Sequence, residues 1–282
     1  MILSPFTPIF FEPRKGDNGV PSHYVQTWGP NDRIHIQLIG TSGETPPETV
    51  VFDRCTGEEL YTIEWSTWDM NGTDLLCFAD IMGLTDGYYH IIMDGIGTSE
   101  PFRVTSNETE LNQTTLIQYS NRDNRQRDDA VFIIDNMPNF FDFRVPGGFK
   151  DSGWQFGIEN EQFVTDEADI VELFGIESTA KTLTMGEGDG VPIWFGELLN
   201  RLLTCNYVYF DGVRYARKES NVPEVNATDE LLNSFIITQV VQKVARLNPS
   251  IETSNHIAMR RLDSDYYRSA LIENENINRL II

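Results

Sequence analysis

The stretch that most restricts what this chain can become runs from Pro192 to Arg217. Trp194, Phe195, Leu198, Leu199, Leu202 and Leu203 recur at spacings of three and four, which draws one broad apolar stripe along a helix. The spacing predicts a helix over 192–205, with Pro192 near its start, where a missing N–H costs nothing. Immediately afterwards, Asn206–Phe210 and Val213–Arg217 flank Asp211-Gly212, the dipeptide that best specifies a tight β-hairpin. Burying six large side chains at roughly 1.5–3 kcal/mol each contributes on the order of 10 kcal/mol before entropy, enough to anchor a sheet on one helix.

The residues on either side of this unit read as its sheet. Thr115–Tyr119, Ala130–Ile134 and Phe140–Val145 are strand-like, and Trp154–Ile158 alternates with period two. Asp169–Phe174 fits either a strand or a short helix. Gly147-Gly148 requires positive φ or close backbone approach. The Gly186–Gly190 run lacks the alternating acidic ligands of a calcium loop and the lysine of a phosphate loop, and is read as a turn with Asp189 capping the helix. Ser234–Val244 predicts one long strand. Residues 115–247 are therefore expected to form a β-rich domain with one packed helix.

Upstream, residues 31–106 carry short strands at regular intervals: Arg33–Ile39, Thr49–Asp53, Leu60–Trp65, Asp86–Met93 and Glu100–Val104. Their spacing and their Gly/Pro/Asp turns predict an antiparallel, immunoglobulin-like β-sandwich. Residues 1–30, punctuated by Pro5, Pro8 and Pro13, read as an N-terminal arm laid either on the first domain or on a neighbouring subunit. The polar stretch 105–114 marks the domain boundary. Residues 248–282 read as a C-terminal extension, partly helical, with an apolar end suited to docking.

Chemistry is sparse. The four histidines, His23, His35, His90 and His256, are not spaced as zinc ligands, and no nucleophile-elbow, phosphate-loop or dinucleotide fingerprint occurs. No catalytic residue, cofactor or metal is assigned, and the chain is expected not to be an enzyme. Three cysteines without CxxC spacing give no disulfide framework. The 43 acidic and 21 basic residues, net −22, argue against a nucleic-acid partner, and no apolar run approaches the ~20 residues of a membrane span. The candidate contact residues are the aromatics Trp65, Trp68, Tyr88 and Tyr89. Neighbours on a strand point to opposite faces, so only one of Tyr88 and Tyr89 belongs to a core. One aromatic from each pair would then be free for a glycan or a protein interface.

The runs "IQYSNRDN", "FDFRVPGGFK", "FGIENEQFVTDEADIVELFG", "KTLTMGEGDGVPIW" and "YVYFDGVRYAR", covering about residues 115–220, resemble a family of structural virion proteins of bacteriophages and prophages of Bacteroides-type bacteria, associated with the tail or baseplate. The resemblance implies a non-enzymatic tail subunit that assembles into a symmetric homo-oligomeric ring with other tail proteins, in the host cytoplasm and then in the virion. A carbohydrate-binding or host-surface adhesion module is the alternative.

Overall fold

Alternating side chains from residues 1–11 and 23–104 are sorted onto two facing sheets. The computed structural model describes residues 1–11, 23–125, 127–166, 168–186, 188–219, 221–229 and 233–244. In chain order the first strands are β1 (Ile2–Leu3), β2 (Gln26–Trp28), β3 (Ile34–Thr41), β4 (Thr49–Asp53), β5 (Glu59–Thr62), β6 (Ser66–Asp69), β7 (Asp74–Ile81), β8 (Gly87–Met93), β9 (Gly97–Thr98) and β10 (Phe102–Val104). One sheet has the order β1-β3-β7-β6; the other is β2-β10-β8-β4-β5, with β9 on β8. All pairings are antiparallel except β2 with β10. The two sheets enclose Trp28, Ile36, Leu38, Cys77, Ile91 and Phe102 in an immunoglobulin-like β-sandwich.

A short helix, α1 (Glu108–Leu111), capped by the Asn107 side chain, leads into β11 (Thr114–Ser120). The remaining elements are β12 (Ile133–Ile134), β13 (Met137–Pro138), β14 (Phe141–Val164), β15 (Ile170–Met185), α2 (Ile193–Leu202), β16 (Tyr207–Phe210), β17 (Val213–Arg217), β18 (Glu224–Asp229) and β19 (Ser234–Lys243). The sequence predicts a β-rich sheet with one packed helix but not how its ends meet, and here they meet. β14 pairs with β11, β11 with β16, β16 with β17, β17 with β19, β19 with β15, and β15 with β14, which closes an antiparallel barrel. Closure removes the strand edges that an open sheet would expose. The apolar face of α2 packs into this barrel's core with Phe143, Leu183, Phe210 and Ile237.

The helix begins one residue later than its spacing implied. Pro192, in extended conformation, is the N-cap and no side chain caps it. Asp189 does not cap; its carbonyl accepts from the Ser234 hydroxyl at 2.5 Å. Gly190 is needed here because a Cβ would lie 1.9 Å from that hydroxyl and 2.9 Å from the Phe235 nitrogen. Asp169–Phe174 resolves as strand, within β15. Asp211 and Gly212 both have positive φ, the pattern of a primed hairpin turn.

β3 is buried on both faces, which alternation alone does not reveal. Ile34, Ile36 and Leu38 face the sandwich core, while His35 and Gln37 meet the barrel. Gln37 donates to the Val131 carbonyl and accepts from its nitrogen, at 2.7 and 3.0 Å. The Asn139 amide lies 2.7 Å from His35 Nε2, and Asp80 lies 2.6 Å from His35 Nδ1. Burial, with Arg33 nearby, pushes His35 down to about 4. Arg144 grips Asp32 through two bonds, 2.5 and 3.0 Å, across the same junction. Buried polar groups so paired lock the two modules in one arrangement.

The N-terminal arm covers its own chain over residues 1–11. β1 pairs with β3, Phe6 is buried among Tyr119, Phe132 and Phe141, and Phe10 stacks on Trp194. Of the two resting places the sequence left open, the described residues 1–11 lie on their own chain, β1 at the sandwich edge and Phe6 and Phe10 on the second module, and β2 places residues 26–28 inside the sandwich rather than in an arm. The C-terminal extension, 248–282, lies outside the described residues.

Candidate functional site

β14 and β15 are longer than the barrel needs. β11 borders β14 only from Phe141 to Pro146, and β19 borders β15 only from Ala180 to Met185. Beyond those points the two strands pair with each other alone, from Trp154↔Lys181 out to Val164↔Ile170. The eleven consecutive β14 positions from 154 to 164 are all paired, so the arm reaches roughly 35 Å at ~3.3 Å per residue. Among the described residues, no strand pairs with the outer part of either edge.

The arm begins where the register slips between Phe149 and Trp154. Across this slip the inward-facing row of the barrel continues outward. Leu183 and Phe149 are paired inside, and the next positions on the same face are Lys181 with Trp154, Phe156 with Thr179 and Ile158 with Glu177. The alternation that fills a core thus runs on past the rim, where, among the described residues, neither helix nor opposite strand covers it. Trp154 is 44% exposed, Phe156 79% and Ile158 62%. The Trp154 and Phe156 rings stack with centroids 5.9 Å apart, and the Lys181 ammonium sits 3.7 Å over Trp154. Farther out the row turns polar at Asn160 and Gln162, and exposed apolar residues return only at the tip, Val164 and Ile170 on this face and Phe163 and Val171 on the other. The exposed apolar run of Trp154, Phe156 and Ile158 marks an interaction site.

The same arm is acidic. Between Trp154 and Ala180 there are seven acidic residues and no basic one. Cations gather at its root instead. Arg217, Val241, Lys181 and Trp154 form one cross-strand row. Lys218 reaches Gln155 at 3.0 Å, and Lys243 follows Gln242, the partner of Ala180. Lys150 lies in the slipped segment and is exposed.

The aromatics singled out by sequence are not brought together. Tyr89 is a core residue whose hydroxyl donates to the Thr85 carbonyl at 2.8 Å. Tyr88 is on the outer face of β8, with the Arg103 guanidinium 5.7 Å from its ring centre. Trp65 is half-buried against the sandwich core and donates to the Pro47 carbonyl at 3.1 Å. Trp68 lies on β6 in the other sheet, its indole N–H donating to Asp135 at 3.0 Å. Tyr88 and Trp68, the more outward member of each pair, therefore sit on different sheets.

Among the described residues, no group of three or more His, Cys, Asp or Glu side chains is placed to hold a metal. No described helix is long and apolar enough to cross a membrane. Cys55, Cys77 and Cys205 are all free thiols. No family model and no curated protein matches the sequence. A solved structure, Dpr2 Ig1-Ig2 in complex with DIP-Theta Ig1-Ig3, is similar at 10% identity and a TM-score of 0.17, over 86% of this chain and 91% of that one. A TM-score that low carries no argument, and the sandwich is read from its own strand pairing.

Proposed function

We propose that this chain is a non-enzymatic structural subunit that works by assembly, in the tail or baseplate of a bacteriophage. The observation that carries the reading is the β14–β15 arm: a paired, acidic projection whose Trp154, Phe156 and Ile158 face is exposed among the described residues. A rigid sandwich locked to a closed barrel suits such a role, because it holds the projection in a fixed direction. The resemblance of residues 115–220 to tail and baseplate proteins supplies the virion setting. Host-surface glycan binding receives less support, since the outward aromatics Tyr88 and Trp68 do not share a face. The test is to purify phage particles from cells that carry this sequence in a prophage, and to ask by mass spectrometry and electron microscopy whether the chain is present at a repeated position in the tail. Particles that are complete without it would overturn the proposal.

A further inference from the structure

The arm's apolar face needs an occupant, and the charges on this chain indicate which. The distal arm carries seven acidic residues and no base from 154 to 180. The arm's root carries Lys150, Lys181, Arg217, Lys218 and Lys243, set against Asp151 and Glu219 on the same segments. On a chain of net charge −22, a local excess of cations is a distinctive surface. Resting on the assembly reading above, we infer that the distal arm of one copy packs its Phe156–Ile158 face over the root of a second copy's arm, acidic tip against basic root.

The geometry supports a second copy over an unrelated partner in two ways. Arms aligned tip to tip would set acid against acid, whereas a tip laid on a neighbour's root pairs opposite signs along the apolar contact. In addition, the inward row of the barrel, Leu183 with Phe149, resumes past the register slip at Trp154 and Phe156, so a neighbour's apolar arm face laid at the root would extend a core that exists. The contact joins different patches on the two copies, so it generates a ring if the rotation closes and a filament if it does not.

The experiment is sedimentation velocity on the full-length chain at tens of micromolar. The wild type is expected to be oligomeric, with association weakening as salt rises to 0.5 M. Phe156→Ser with Ile158→Ser should weaken assembly at least tenfold without changing the far-ultraviolet circular dichroism, because both residues are exposed in the single chain. Lys218→Glu with Lys243→Glu should also weaken it, as should Glu161→Lys with Asp166→Lys. Combining the two charge reversals in one chain should restore assembly, which a merely structural effect would not do. Failure of that restoration, or assembly unaffected by the Phe156/Ile158 change, overturns the tip-on-root contact. A wild type that stays monomeric also overturns it. The assembly reading is then judged separately: if the Phe156/Ile158 variant is lost from purified particles, that reading stands with a different partner on the arm; if the variant is incorporated normally, the chain is a particle subunit and only the arm contact fails; and if the wild type itself is absent from complete particles, both fail.

Discussion

Asp32 and Arg144 offer the sharpest test of how the two modules are joined. The two side chains are only 6% and 12% exposed, and two of the guanidinium nitrogens meet both carboxylate oxygens, Nε to Oδ2 at 2.5 Å and Nη2 to Oδ1 at 3.0 Å. Each has one further bond: Asp32 Oδ2 accepts from the Gly29 nitrogen at 2.6 Å, and Arg144 Nη1 donates to the Thr114 hydroxyl at 2.9 Å. Arg144→Met would leave a carboxylate out of water with a single donor, which costs about 3–5 kcal/mol. Asp32→Asn strands the guanidinium and should cost a comparable amount. The double substitution removes both charges, so it should cost clearly less than the sum, with a coupling of about 2–4 kcal/mol. At roughly 2–4 °C per kcal/mol for a cooperative unit of this size, either single change lowers Tm by on the order of 10 °C. Urea unfolding of the four proteins, followed by tryptophan fluorescence and circular dichroism, measures the cycle. A single substitution costing under about 1 kcal/mol, additive costs, or two separate transitions in the wild type would refute the reasoning, since each would mean that this contact does not couple the modules.

Further outcomes follow from the barrel core and from two buried titratable groups. Leu199→Ala, at a fully buried position on α2, should cost about 2–5 kcal/mol in urea unfolding, whereas an unchanged midpoint would mean that the helix does not plug the barrel. Burial pushes the Glu100 carboxyl up to about 7 despite its bond from the Trp194 indole at 2.9 Å. Its contribution is present at low pH and is lost as pH rises from about 4.5 through 7. His35, pushed down to about 4, acts with the opposite sign: its contribution is full above 6.5 and is lost as pH falls toward 4. The two offset each other between about 4.5 and 6.5, so Glu100→Gln should unmask a stability that rises with pH across that window and should gain up to about 3 kcal/mol on the wild type by pH 8. A parallel pH profile for the two proteins would contradict the assignment.

Much of this fold is legible in the sequence because periodicity is local. The three-and-four spacing of α2, the Asp211-Gly212 turn and the alternation in β8 and β19 each depend on neighbouring residues, and the structure has all of them. Closure of the barrel is different. It depends on Ala180–Met185 meeting Ile237–Gln242, a pairing across more than fifty residues that no local pattern encodes. β7 was missed because Leu75 and Leu76 are adjacent and blur the alternation, and Cys77 and Ala79 carry little apolar weight. Alternation puts His35 and Gln37 on the polar face of β3 without saying what that face meets, and it is the face that binds the second module. The arm was visible only in part. Trp154-Gln155-Phe156-Gly157-Ile158 does alternate, but alternation gives the same signal whether the apolar row is covered or not. The signal that distinguishes the arm is charge: twenty-seven residues, 154–180, with seven acids and no base, inside a sheet-forming segment.

That charge has a physical consequence for the free chain. A two-stranded ribbon in water is marginal on its own, and one with open edges and uncovered aromatics is a template for pairing with others of its kind. The stacking of Trp154 on Phe156 and the Lys181 ammonium over Trp154 tie down the root. Farther out, Glu161, Asp166 and Asp169 are exposed with no described basic residue beside them. Two such tips brought together repel, so edge-to-edge growth through the tips is disfavoured before assembly. A basic root offers the same tip an attractive surface, and the row of apolar side chains leading into the barrel gives it somewhere to pack. One set of carboxylates thus serves solubility and direction together. On the proposed tip-on-root contact, an arm with its acids replaced by neutral residues would keep its apolar face but lose the preference for root over tip, and sedimentation should show aggregates of mixed size.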